Sequence, residues 1–218
     1  MYAVGHLAIG YITGKTTEKL MNIEVNLPLL LLVSIVSDID LLIPGLEHRG
    51  PTHSLIILTL LFLPLFRVYG KKAAPYFVAL AQHSLIGDYV TGGVQLLWPL
   101  TTHIYGFAFE ATSLAAVVLE WGFFLASLTI MLKMKDIQKL LQKHPSNLLL
   151  SVPVATVLLP TMASFPLSVP LELVVPHLIY LTLFTLSILL DVKYVLRKTR
   201  NACTCVRERS LRLRVLSL

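Results

Sequence analysis

The chain has 218 residues, of which 56% are hydrophobic and 14% charged, with a mean hydropathy of +0.76 and a formal net charge of +6. That balance excludes a disordered chain, a fibrous protein and a disulfide scaffold. Recurrent apolar runs of membrane length also argue against an ordinary soluble domain. The positive charge sits in short clusters between apolar runs, which is how membrane proteins encode orientation rather than nucleic-acid binding.

The expected fold is all-α, a polytopic bundle with about five to seven membrane segments. The first apolar segment, 3–13, is short, and it lacks the basic start of a cleavable signal peptide. The second covers 27–43, and the third, 54–66, is again short. The fourth runs over 74–90 and meets Gly92 and Gly93. The fifth, 111–132, is a full span. Residues 148–165 form a helix interrupted by Pro153 and Pro160, and 171–190 a last span. These segments make one integral-membrane domain over 1–195, followed by a basic tail over 196–218. The tail holds both cysteines, Cys203 and Cys205, read as reduced thiols.

If the chain changes side at each segment, 17 of its 18 basic residues share one face, which should be cytoplasmic. These include Lys15, Lys19, Arg67, the lysines from Lys133 to Lys143, and the tail. Arg49 is the exception. Residues 44–53, 91–110 and 166–170 then face the extracytoplasmic side of a cell-membrane protein. Trp98 and Tyr105 suit an interfacial aromatic belt.

Ionisable groups within membrane segments are costly and are functional candidates by default. A rise of about 1.5 Å per residue gives their depth. Counted from the basic end, His6 lies about 13 Å in, Asp38 and Asp40 about 16–20 Å, His53 about 21 Å, and His83 and Asp88 about 13–21 Å. Four segments thus deliver His and Asp to one layer. Each residue alone suits a packing or capping role. Together, three His and three Asp are the ligand set of Zn²⁺ or a similar divalent ion, and of a site that activates water.

Three stretches carry the pattern: Ser37-Asp38-Ile39-Asp40 before Pro44, His48-Arg49-Gly50-Pro51-Thr52-His53-Ser54, and His83 with Asp88 before Trp98-Pro99. With His6 and Gly10, these resemble, in order, the motifs of the YdjM-like family of predicted membrane-bound metal-dependent hydrolases. The resemblance covers about residues 1–100. The family's His and Asp usually lie four apart, whereas His83 and Asp88 lie five apart. On a regular helix that separates them by about 140° instead of 40°. Either a π-bulge at Gly87 reunites them, or one is not a ligand and Ser84 stands four before Asp88. The order of the residues is also similar to that of the zinc phospholipase C group, which cleaves phosphoesters.

The resulting expectation is a metal centre held by His6, Asp40, His48, His53, His83 and Asp88. Asp38 and Arg49 join it in the chemistry, with Asp38 also able to ligate. Arg49 either grips an anionic substrate oxygen or pairs with a carboxylate. Thr52 and Ser54 orient ligands, or Ser54 caps the next helix. Glu120 and His177 reach a similar depth, while His103, Glu110 and His144 suit solvated loops. The expected activity is hydrolysis of a phosphoester or other polar bond in a lipid-like substrate, with a divalent cation, Zn²⁺, as cofactor. The alternatives are an ion- or proton-coupled transporter and a membrane protein whose polar network only holds helices together.

Overall fold

The structure is a computed structural model that describes residues 1–107, 109–165 and 167–192. The basic tail, with Cys203 and Cys205, lies outside the described residues.

The described residues form an all-helical bundle built around its first helix. Helix α1 (Ala3–Met21) is buried without a break from Ala3 to Tyr11, because it packs against both α4 (Ala74–Gln82) and α5 (Leu114–Lys133). A helix apolar all round belongs in an interior. Its Val4, Leu7 and Tyr11 share one core with Leu30 and Leu31 of α2 (Leu27–Val33), Phe124 of α5, and Tyr180 and Phe184 of the last helix, Leu171–Val192. The helix ends at Asn22, whose left-handed backbone turns its N–H back onto the Glu18 and Lys19 carbonyls.

Three helices among the described residues are long and apolar enough to cross a membrane: Leu114–Lys133, Pro145–Met162 and Leu171–Val192. The expected five to seven segments overcount them, and the reason is local. The segments that carry the His and Asp residues do not run on as α-helices. Helix α2 stops after seven residues and becomes a 3₁₀ turn, Val36–Leu42, which holds Asp38 and Asp40. The α3 helix (Leu55–Tyr69) starts only after His53, on a Ser54 side chain that accepts from the Ile57 N–H at 3.5 Å. In α4 the nine α-helical residues run into a π-helical turn, His83–Asp88.

From the middle of α1, Tyr11 donates to Asp136 (2.8 Å), which also faces Lys15 at 3.5 Å and accepts from Lys139 at 2.6 Å. The Lys15 and Lys133–Lys143 segments therefore meet at one end of the bundle. At the other end Glu120 of α5 caps α1 from outside the helix. It accepts from the Tyr2 N–H at 2.8 Å and the Gly5 N–H at 3.1 Å. A carboxylate suits a helix start, where N–H groups lack partners and the dipole is positive. Glu120→Ala leaves the buried Gly5 N–H and the part-buried Tyr2 N–H without this partner, so thermal unfolding should show a loss of about 1–3 kcal/mol. Glu120→Gln should lose less.

Candidate metal centre

Three breaks in the helical pattern and one α-helix start bring the predicted residues together. The 3₁₀ turn after α2 presents Asp38 and Asp40, and the short turn Pro51–His53 presents His53. The π-helical turn presents His83 and Asp88, and the first turns of α1 present His6. His6, Asp38, Asp40, His53, His83 and Asp88 are all buried.

The π-helix reconciles the spacing of five between His83 and Asp88. By adding a residue to the turn it returns both to one face, with His83 Nε2 at 3.6 Å from Asp88 Oδ2. Ser84 is buried beside them, with its hydroxyl unpaired. Gly87 leaves the room this turn needs, since a Cβ there would overlap the His6 ring.

Hydrogen bonds at the rear of the imidazoles assign their protons. His83 Nδ1 donates to the Ser34 carbonyl at 3.0 Å, an oxygen that can only accept. Thr52 Oγ1 donates to Asp40 Oδ2 at 2.6 Å, and His53 Nδ1 lies 2.9 Å from that hydroxyl and 3.2 Å from the same carboxylate oxygen. Both rings thus carry hydrogen on Nδ1, and in the neutral form each turns an Nε2 lone pair inward.

Those lone pairs point at each other and at two carboxylates. The Nε2 atoms of His53 and His83 are 3.2 Å apart. Asp38 Oδ1 lies 3.1 Å from His83 and 3.5 Å from His53, and Asp88 Oδ2 lies 3.3 Å from His53. Acceptors packed against acceptors repel unless a cation or a shared proton lies among them. Metal–donor bonds of about 2.0–2.1 Å in a tetrahedron separate the donors by about 3.3–3.4 Å. The separations here, 3.1 to 3.6 Å, bracket that value.

The residues around this set hold it or flank it. Asp40 is engaged behind His53 and also faces His48 Nδ1 at 2.9 Å, so its carboxylate is taken up by His48, Thr52 and His53. The His6 ring stacks on His83 with centroids 3.6 Å apart. Both its nitrogens are buried without a hydrogen bond, and Nε2 is 3.7 Å from Asp88 Oδ1. Three groups have donor atoms near enough to share an ion: His6, Asp38 and His83; Asp38, His48 and His53; and His53, His83 and Asp88. Arg49 has a left-handed backbone (φ 64°) and brings its Nε to 3.2 Å from Asp88 Oδ1. Its guanidinium lies over Gly92 (φ 90°), where a Cβ would collide with it. Arg49 and His48 are the partly exposed members of the cluster.

Other candidates fall elsewhere. Glu120 belongs to the start of α1. His177 is buried but donates to the Leu158 carbonyl at 2.9 Å. His103 stacks edge-on against Tyr105, and Glu110 and His144 are exposed. The Ser34 carbonyl had no signal in the sequence, because a backbone acceptor is independent of residue type. If the cluster binds a divalent ion, Asp40→Asn should weaken that binding about 10–100-fold without abolishing it, as loss of a carboxylate behind a ligating imidazole does. Competition with a chromophoric chelator measures this.

The model of the YdjM inner membrane protein family matches residues 1–167, beyond the first 100 residues over which the motifs run. No curated protein and no solved structure matches the chain.

Proposed function

Since the chain belongs to the YdjM inner membrane protein family, we propose that it is a membrane-embedded metal-dependent hydrolase acting on a phosphoester or similar polar bond of a lipid-like molecule. The observation that carries this reading is the convergence of two imidazole lone pairs and two carboxylates in a buried cluster. Two nitrogen and two oxygen donors at tetrahedral spacing suit Zn²⁺. When bound, such an ion supplies Lewis acidity, acidifying water and polarising a phosphoryl or acyl oxygen.

The chain's residues divide the remaining work. Asp38, His53, His83 and Asp88 would hold the ion. The Ser34 carbonyl and Asp40 fix the two rings. Four protein donors close a tetrahedron, and a catalytic site needs an open position. Asp88 is the donor that can give way, because Arg49 already holds its other oxygen. The partly exposed Arg49 guanidinium is also placed to grip an anionic oxygen of the substrate. His6 adds an imidazole against His83, within reach of Asp88.

The closed donor set also favours a second reading, in which the ion is retained for structure or carried across the membrane. Carriage fits less well, because the core between the cluster and the lysine-bearing end is filled by Leu7, Tyr11, Leu30 and Leu31. One comparison separates the readings. Zinc-loaded protein in detergent should hydrolyse bis(p-nitrophenyl) phosphate or phospholipid, and Arg49→Ala should raise KM for these anionic substrates more than it lowers kcat. Stoichiometric zinc without hydrolysis of either, or zinc flux into liposomes, would reject the hydrolase.

A further inference from the structure

We propose that the loop formed by residues 94–107 and Phe109 is a lipid-inserted lip, which fixes the metal centre just beneath the headgroups and admits amphiphilic substrate from the leaflet. The inference rests on the hydrolase reading for its substrate, but its geometry is independent of any ion.

The loop is tied to the segments that hold the cluster. Val94 and Tyr105 exchange backbone hydrogen bonds of 2.9 Å, closing the loop on itself. The Gln95 N–H donates to the Arg49 carbonyl at 3.0 Å, and the Ser54 hydroxyl, next to His53, donates to the Trp98 carbonyl at 2.5 Å. The Phe107 N–H donates to the carbonyl of Tyr89, the residue after Asp88, at 2.8 Å. The lip and the donor set therefore move as one piece.

Its outward side carries four large apolar side chains, beside the exposed Thr102 and His103. Leu100 is 81% exposed, Ile104 59%, Phe107 67% and Phe109 50%. Large apolar side chains clustered on a surface mark an interaction site. Here the neighbouring surface names the partner. The loop leads into α5, whose Leu114 (80% exposed) and Val118 (60%) continue the same apolar character down a candidate span. Twenty residues of α5 cover about 30 Å, the hydrocarbon thickness, so Leu114 lies near its edge. Glu120 lies six residues further, about 9 Å inside. It binds the Gly5 N–H, next to His6. The donor set is thus sunk beneath the leaflet edge with the lip beside it, a position a headgroup reaches and a bulky soluble substrate does not.

The test labels single cysteines at Leu100, Ile104 and Phe107 with an environment-sensitive fluorophore, in a Cys203→Ser, Cys205→Ser background. A control label is placed at Gln142, in the lysine-bearing loop. The full chain is placed in nanodiscs of phosphatidylethanolamine and phosphatidylglycerol. Doxyl-labelled phospholipid should quench the three lip labels severalfold more than the control, and aqueous iodide should do the reverse. Iodide quenching of the lip as strong as that of the control would overturn the proposal. So would shielding from both quenchers, which would mean that protein covers the lip. Zinc content measured on the same samples separates failure of the lip from failure of the metal centre.

Discussion

If the cluster holds the proposed divalent cation, His83→Ala is expected to purify without it, whereas the wild-type chain should retain one. His83 gives the cluster more than one lone pair. Its Nε2 lies within 3.6 Å of three other donors, its Nδ1 is fixed by the Ser34 carbonyl, and its ring face supports His6. Removing it leaves Asp38 and Asp88 each facing the single imidazole of His53. The loss of affinity should exceed the roughly 10–100-fold that follows loss of an outer hydrogen-bond partner. Metal analysis after chelator-free purification reads this directly, and thermal unfolding guards against a trivial cause. An ion present at about 1,000 times its Kd stabilises the native state by about 4 kcal/mol. Chelation should therefore lower the wild-type Tm and leave that of His83→Ala unchanged. A folded variant with full zinc content would remove His83 from the donor set.

Gly87→Ala should damage the cluster directly. The added carbon has no free space, because the His6 ring occupies it and is itself pressed against His83. Overpacking of a filled site costs about 1–3 kcal/mol. The strain can be relieved by expelling His6 or by returning the turn to α-helix, and the latter rotates Asp88 by about 100° per residue. Either route should weaken ion binding along with stability. Gly122→Ala is the control, since a Cβ there meets nothing within 4 Å. In the interior of α5 that change should be neutral or should stabilise by up to about 1 kcal/mol. Chelator competition and thermal unfolding on the pair separate packing at the cluster from a general effect of replacing glycine.

The motifs made the cluster legible because intramembrane His and Asp stand out against an apolar background. Helix rise alone placed them in one layer. The spacing of five between His83 and Asp88, together with Gly87, pointed to the π turn that the structure contains. Hydropathy counted segments poorly for the same physical reason. It reads 27–43 and 74–90 as continuous apolar helix, but the chain leaves the α-helix wherever it must turn a donor inward. Depth could not separate Glu120 from the cluster, since a residue at the right level may still face another helix. The division of labour between Asp38 and Asp40 was equally hidden, because two residues apart on a 3₁₀ turn they face different partners.

The most direct test of the metal centre is the visible absorption of the cobalt-loaded protein. One Co²⁺ per chain with the intense bands of a tetrahedral site, lost in both Asp38→Ala and His83→Ala, is the result expected from donors spaced at 3.1–3.6 Å. Failure to retain cobalt, a weak octahedral spectrum, or an unchanged spectrum in the two variants would contradict it.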